Sequence, residues 1–289
     1  MQAMTAGPPQ RGESPRSGRG GTLRRLWQEF ILAFKVLTIL PLAPRSAWHD
    51  EALARSTAFF PVVGAVLGAA AWGLDLLLAH FFDPLVRAGL LLAFLSLVTG
   101  GMHLDGLADT CDGLFSRAGR ERTLEIMRDS RIGALGAAGL IIALLLKFSL
   151  LATLTGPLRA PALFLMPIAG RQAMTLAMAV FPAARPGSGL GGAFTQHAGR
   201  RVLVTSPCLW AAALALAWAM LGIGSPAGVA TWRLAFLACG VAMALACGAG
   251  VAATAARRLG GLTGDVYGAA SEVAEVGFLL VIIGLSPLV

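Results

Sequence analysis

The chain has 289 residues, 56% of them hydrophobic and 13% charged, with a net charge of +8 and one tyrosine. A soluble domain carries about 25% charged residues, so this chain has too few to face water on all sides, and lipid is the expected solvent. Its basic residues form no stripe interleaved with aromatics, which argues against a nucleic-acid partner and for loop charge on a membrane protein.

Residues 1–22 are rich in Gly, Pro, Ser and Arg with almost nothing apolar. They are expected to form a disordered basic tail rather than a signal peptide. The stretch 26–42 (LWQEFILAFKVLTILPL) is broken by Lys35 and stopped by Pro41, and is expected to be a short interfacial or re-entrant helix. Apolar runs then recur at about 58–82, 86–104, 134–154, 159–182, 203–224, 231–253 and 273–289. Each is near the ~20 residues that carry a helix across ~30 Å of hydrocarbon, and lipid admits helices because they satisfy their own backbone. The fold class is therefore all-α, a polytopic integral membrane helical bundle of about five to seven transmembrane helices. Residues 23–289 form one membrane-embedded domain, and the runs at 86–104 and 273–289 are the weakest. Cys111, Cys208, Cys239 and Cys247 have no Cys-x-x-Cys spacing, so neither a disulfide framework nor a zinc site is expected.

Charge gives an independent reading of the same layout. The tail and alternate loops (1–57, 101–133, 183–202 and 254–272) hold 18 Lys and Arg, against 3 in the opposite turns, Arg87, Arg159 and Arg233. The basic side, with the N-terminus, is expected to be cytoplasmic. Acids are confined more tightly. Six lie in 101–133 and three in 254–275, with none from 130 to 264. Both groups fall on the basic side, where they are placed to share a site.

In the first group, Asp105, Asp109 and Asp112 follow i, i+4, i+7 spacing and fall within a ~60° arc of one helical face. Three carboxylates so close repel one another, and no Lys or Arg is interleaved to relieve them, as a merely solvated face would have. A divalent cation removes that cost. Hard oxygen ligands at a helix mouth suit Mg²⁺, which keeps waters and is completed by substrate phosphates. Gly106 and Gly113 remove bulk where a phosphate is expected to approach. His103 lies on the opposite side of the helix and reads as a hydrogen-bonding or substrate-binding residue. Arg117, Arg120 and Arg122 are accounted for as topological charge, whereas Arg128 and Arg131 bracket Asp129 in MRDSR and suit phosphate binding. In the second group (GGLTGDVYGAASEVAEVG, 260–277), Asp265 and Glu272 share a face and Gly264 leaves the backbone open. Asp265 is also explained as an N-terminal dipole partner, Glu272 less so. Lys147 and Arg171 sit inside apolar runs, either as substrate-binding charges or as snorkelling side chains.

The block GGMHLDGLADTCDGLFSRAGRERTLEIMRDSRIGALG resembles the signature of the cobalamin synthase family, the adenosylcobinamide-GDP ribazoletransferases. LTILPL at 37–42, FFPVVGAVLG at 59–68 and LGGLTGDVYGAASEVAE at 259–275 extend the likeness over most of the chain. The basic N-terminal extension departs from it, and 183–202 match loosely, as no more than a possible Gly-rich substrate loop. The resemblance implies a Mg²⁺-dependent enzyme of the bacterial inner membrane in late cobalamin biosynthesis. It would join adenosylcobinamide-GDP to α-ribazole or its 5′-phosphate and release GMP. Asp105, Asp109 and Asp112 would hold the metal and Arg128 a phosphoryl oxygen, with Asp129, Asp265 or Glu272 as the base. A CDP-alcohol phosphotransferase is a less suitable likeness, because DGLAD lacks the Ala-Arg of D-G-x-x-A-R. A transporter is disfavoured by the missing internal repeat. Oligomeric state is not legible.

Overall fold

The computed structural model describes residues 19–41, 50–185, 199–222 and 227–285. They form α1 (Arg19–Leu37), α2 (Asp50–Ser56), α3 (Phe60–Leu78), α4 (Pro84–Val98), α5 (Met102–Phe115) and α6 (Arg120–Ile126). There follow α7 (Ala134–Thr153), α8 (Arg159–Val180), α9 (Gly199–Gly222), α10 (Ala227–Leu259) and α11 (Gly264–Leu285). Among the described residues the sole β pairing is an isolated bridge between Ala183 and Leu262. The protein is an all-α, multi-pass membrane bundle.

Among the described residues, five helices are long and apolar enough to cross a bilayer: Glu51–Leu78, α7, α8 with its leading turn, α10 and α11. The run at 86–104 behaves differently. It contains α4 and the start of α5, two helices bent by 88° that pass as a span only when taken together. Gly100 (φ 62°) and Gly101 (φ 69°) make the bend in the left-handed region, which glycine enters without Cβ strain. A side chain at Gly100 would also strike Ile39. The run at 203–224 lies within α9, whose stretch Pro207–Leu221 is counted as a shorter apolar helix among the described residues. Among the described residues the count is five spans, or six with the bent pair, within the expected range of about five to seven.

Two boundaries also move. Residues 19–22, assigned to the tail, are the first turn of α1, and residues 1–18 lie outside the described residues, as do 186–198 of the loosely matching loop. The last run begins at Gly264 rather than 273, so the second acidic group lies inside a spanning helix.

α8 is the central helix, buried along most of its length, whereas α7 and α10 present mostly exposed apolar surface for lipid. α3 lies against α8 through Gly64 and Gly68, a small-xxx-small pair of the kind that lets membrane helices approach. A Cβ at Gly64 would come within 2.6 Å of the Pro167 carbonyl, and one at Gly68 would run into that of Phe164.

The loops assigned by charge to the basic side do meet at one end of the bundle. Arg120 donates to the Leu259 carbonyl at 2.7 Å and to that of Ala184 at 3.1 Å. Arg185 donates to the Leu124 carbonyl at 2.9 Å, and Arg258 to that of Leu114. At the other end, Asp75 pairs with Arg159 at 2.6 Å and Arg87 at 3.3 Å, so two of the three basic residues there share one carboxylate.

The α3–α8 packing yields a test. Gly68→Val is expected to destabilise the protein by about 2 kcal/mol or more, since the obstruction is backbone. Gly73→Ala, where a Cβ meets nothing within 4 Å, is expected to leave thermal unfolding in detergent unchanged or slightly raised. Equal melting for Gly68→Val and wild type would refute the packing.

Candidate active site

The two acidic groups, 160 residues apart at Asp105 and Asp265, come together where α5 crosses α11. The approach depends on Gly106, whose absent side chain leaves room for the Asp265 backbone; a Cβ there would lie 2.7 Å from the Asp265 carbonyl oxygen. One turn further along α11, Gly268 lies against the His103 backbone in the same way. Asp105 is exposed, Asp109 and Asp265 half-buried. Asp109 lies in the electrostatic field of Asp265, Asp105 and Asp112, and Asp265 in that of Asp105. Among the described residues no salt bridge reaches Asp105, Asp109 or Asp265. Asp265 accepts one long hydrogen bond from Thr263, 3.2 Å.

Asp112, on the same helical face, has a different occupation. Its two oxygens accept from the backbone N–H groups of Gly133 at 2.7 Å and Gly136 at 2.8 Å. It therefore caps the N-terminus of α7 from a neighbouring helix, satisfying amides that otherwise lack partners.

The remaining sequence candidates separate by environment. Gly113 is closed off by Met127 as Gly106 is by Asp265, whereas Gly264 is open, with nothing within 4 Å of a Cβ. Arg128 is exposed beside the site. Asp129 is gripped by Arg131 through the Nε at 3.0 Å, Nη2 at 2.6 Å and backbone N–H at 3.1 Å. Those hydrogen bonds hold the Asp129 carboxyl down at about 2 and push the Arg131 guanidinium up.

Lys147 and Arg171 do not snorkel. Lys147 lies 2.6 Å from Glu272 and 2.6 Å from Glu275, and Arg171 pairs with Glu275. Arg171 also approaches His103 Nδ1 at 3.4 Å. All five side chains are buried. The network joins α5, α7, α8 and α11 next to the carboxylate cluster.

Two residues escaped the sequence reading. Arg185 lies in the fields of Arg128, Asp265 and Arg120, which places a second guanidinium by the acidic cluster. Its segment matched too loosely to single it out. Tyr267 is buried, with an unpartnered hydroxyl, two residues from Asp265. Being the chain's single tyrosine was the one available signal.

Among the described residues no three His, Cys, Asp or Glu side chains converge tightly enough to cage a metal ion by themselves. Mg²⁺ seldom requires such a cage; it is typically held by one or two carboxylates, waters and substrate phosphates. Two acids without a cationic partner, with a third beside them, fit that mode of binding.

Fold and site together define a multi-pass helical membrane protein with a carboxylate cluster at one end of its bundle. The chain belongs to the cobalamin-5-phosphate synthase family, whose profile matches residues 29–283. It is 39% identical over 271 residues to a protein of Desulfitobacterium hafniense (strain Y51) named adenosylcobinamide-GDP ribazoletransferase, covering 90% of this chain and 96% of that one. A protein of the same name from Geotalea daltonii is 36% identical over 259 residues, 89% of this chain and 97% of the relative. Another from Roseiflexus sp. (strain RS-1) is 39% identical over 255 residues, 84% and 85% respectively. No solved structure matches.

The buried network makes its own prediction. Lys147→Met leaves two glutamates facing one arginine and is expected to cost about 3–5 kcal/mol. Lys147→Met combined with Glu272→Leu restores charge balance and is expected to recover most of that loss in thermal unfolding. Additive losses in the double variant would show that the pair is not coupled.

Proposed function

We propose that the protein is a Mg²⁺-dependent adenosylcobinamide-GDP ribazoletransferase, joining adenosylcobinamide-GDP to α-ribazole or its 5′-phosphate with release of GMP. The relatives' names support the activity. The observation that carries the site assignment is the crossing of α5 and α11 at Gly106, which sets Asp265 beside Asp105 and Asp109.

The reaction is a displacement at phosphorus. A ribazole hydroxyl attacks the phosphorus on the cobinamide side of the pyrophosphate, one P–O bond forms, the anhydride bond breaks and GMP departs. Such transfers need alignment and charge neutralisation more than covalent help. Asp105 and Asp109 are the residues we assign to Mg²⁺, since both Asp112 oxygens are engaged by backbone amides. Bound Mg²⁺ would supply charge neutralisation for the pyrophosphate and the departing GMP. Arg128 and Arg185 are suited to the phosphoryl oxygens. Of the three carboxylates named as candidate base, Asp129 is locked by Arg131 and Glu272 is buried on Lys147. That leaves Asp265 to take the hydroxyl proton. We place the site on the cytoplasmic face of a bacterial inner membrane, following the excess of Lys and Arg at that end of the bundle.

Asp109→Asn is expected to cut GMP formation by about a hundredfold or more without lowering the melting temperature, and Asp105→Asn likewise. Asp112→Ala is expected to lower stability by about 1 kcal/mol while the folded fraction keeps turnover. Near-normal GMP release in Asp109→Asn removes the metal role. Asp129 is already ionised far below neutral pH. Asp129→Asn is therefore expected to leave the acid limb of the pH–rate profile in place, and a displaced limb would reinstate Asp129 as the base.

A further inference from the structure

Beside the carboxylates lies a cavity of about 150 Å³, between α1, α3, α5, α8 and α11. Its mouth is marked by Asp105, Gly264 and Asp265, the first two exposed and the third half-buried. Its interior is apolar. Leu37, Phe60, Met174 and Met178 line it and are all buried. Two polar side chains also line it, His103 and Tyr267, both buried. The His103 Nε2 and the Tyr267 hydroxyl have no hydrogen-bond partner. Buried polar atoms are rarely left so without a reason, and Nε2 of His103 is a donor. Its other ring nitrogen faces Arg171 at 3.4 Å, and a guanidinium only donates, so Nδ1 is the acceptor and the ring proton sits on Nε2.

We infer that this cavity receives the benzimidazole ring of the ribazole substrate. The inference rests on the ribazoletransferase reading and extends it to the second substrate. A cavity of about 150 Å³ with mostly apolar walls has the size to take up an aromatic ring, and thioether sulfurs contact ring edges favourably. The volume admits the base and leaves the sugar outside. A ring seated there sets its ribose at the mouth, against Asp105 and Asp265, where the attacking hydroxyl is required. The ring's unsubstituted nitrogen accepts one hydrogen bond, for which the Tyr267 hydroxyl is the donor. The same cavity excludes the guanine nucleotide, whose several polar edge groups would lose more hydrogen bonds with water than two donors return.

The test uses the full-length protein in detergent, with binding measured by calorimetry and turnover by GMP release. Tyr267→Phe, which keeps the ring and its packing, is expected to weaken α-ribazole about ten-fold, the scale of one hydrogen bond to a desolvated acceptor. The KM for adenosylcobinamide-GDP is expected to stay within two-fold. The riboside of dimethylindole, which lacks the acceptor nitrogen, is expected to bind wild type about ten-fold more weakly than α-ribazole and Tyr267→Phe with no further loss. The subsite is overturned if Tyr267→Phe discriminates between the two ribosides as strongly as wild type, or if both substrates weaken together. Failure of the transferase reading looks different: α-ribazole then binds with the expected discrimination but no GMP is released.

Discussion

The structure depends on a buried, charge-balanced network of Lys147, Arg171, Glu272 and Glu275. In hydrocarbon an isolated ion is costly, and each of these side chains is affordable only because the others are present. Two cations meet two anions, and His103 Nδ1 lies 3.4 Å from the Arg171 guanidinium. The consequence is positional. Glu272 and Glu275 must face Lys147 on α7 and Arg171 on α8, which fixes the rotation and depth of α11. Asp265 lies seven residues before Glu272 on the same face, so satisfying the network also turns Asp265 towards α5. The residues within the bundle thus set the aim of the carboxylates at its end.

This dual use explains what could be read in the chain and what could not. The helical class, the gathering of acids at one end and the meeting of 101–133 with 254–275 were legible, because composition, spacing and charge asymmetry are one-dimensional. Lys147 and Arg171 were recognisable as anomalies in apolar runs, but their partners lie 104 to 128 residues away and only packing supplies them. Asp112 looked identical to Asp105 and Asp109 by helical phase. Its capping role belongs to the neighbouring α7, and no periodicity within α5 reports it. Gly106 and Gly113 were read as room for a phosphate, whereas that room is filled by protein. The 88° bend was invisible in a hydropathy window, which averages across two glycines and sees one continuous apolar run.

The far end of the bundle clarifies the charge asymmetry. Arg87 and Arg159 counted against the topology in a tally, yet both converge on Asp75, which offsets one of their two charges. Arg159 also donates to the Leu151 carbonyl at 2.8 Å and to that of Leu154, closing the turn between α7 and α8. These arginines belong to the scaffold. At the site end Arg185 lies in the fields of Arg128 and Asp265 instead.

The bend between α4 and α5 turns the chain through 88° into α5. Its acidic edge looks towards water, while Leu107, Cys111 and Phe115 on its other edge border an apolar groove of about 480 Å³ facing α7, α10 and α11. The two edges of one short helix thus have different surroundings, carboxylates on one and on the other an apolar wall shared with α7, α10 and α11.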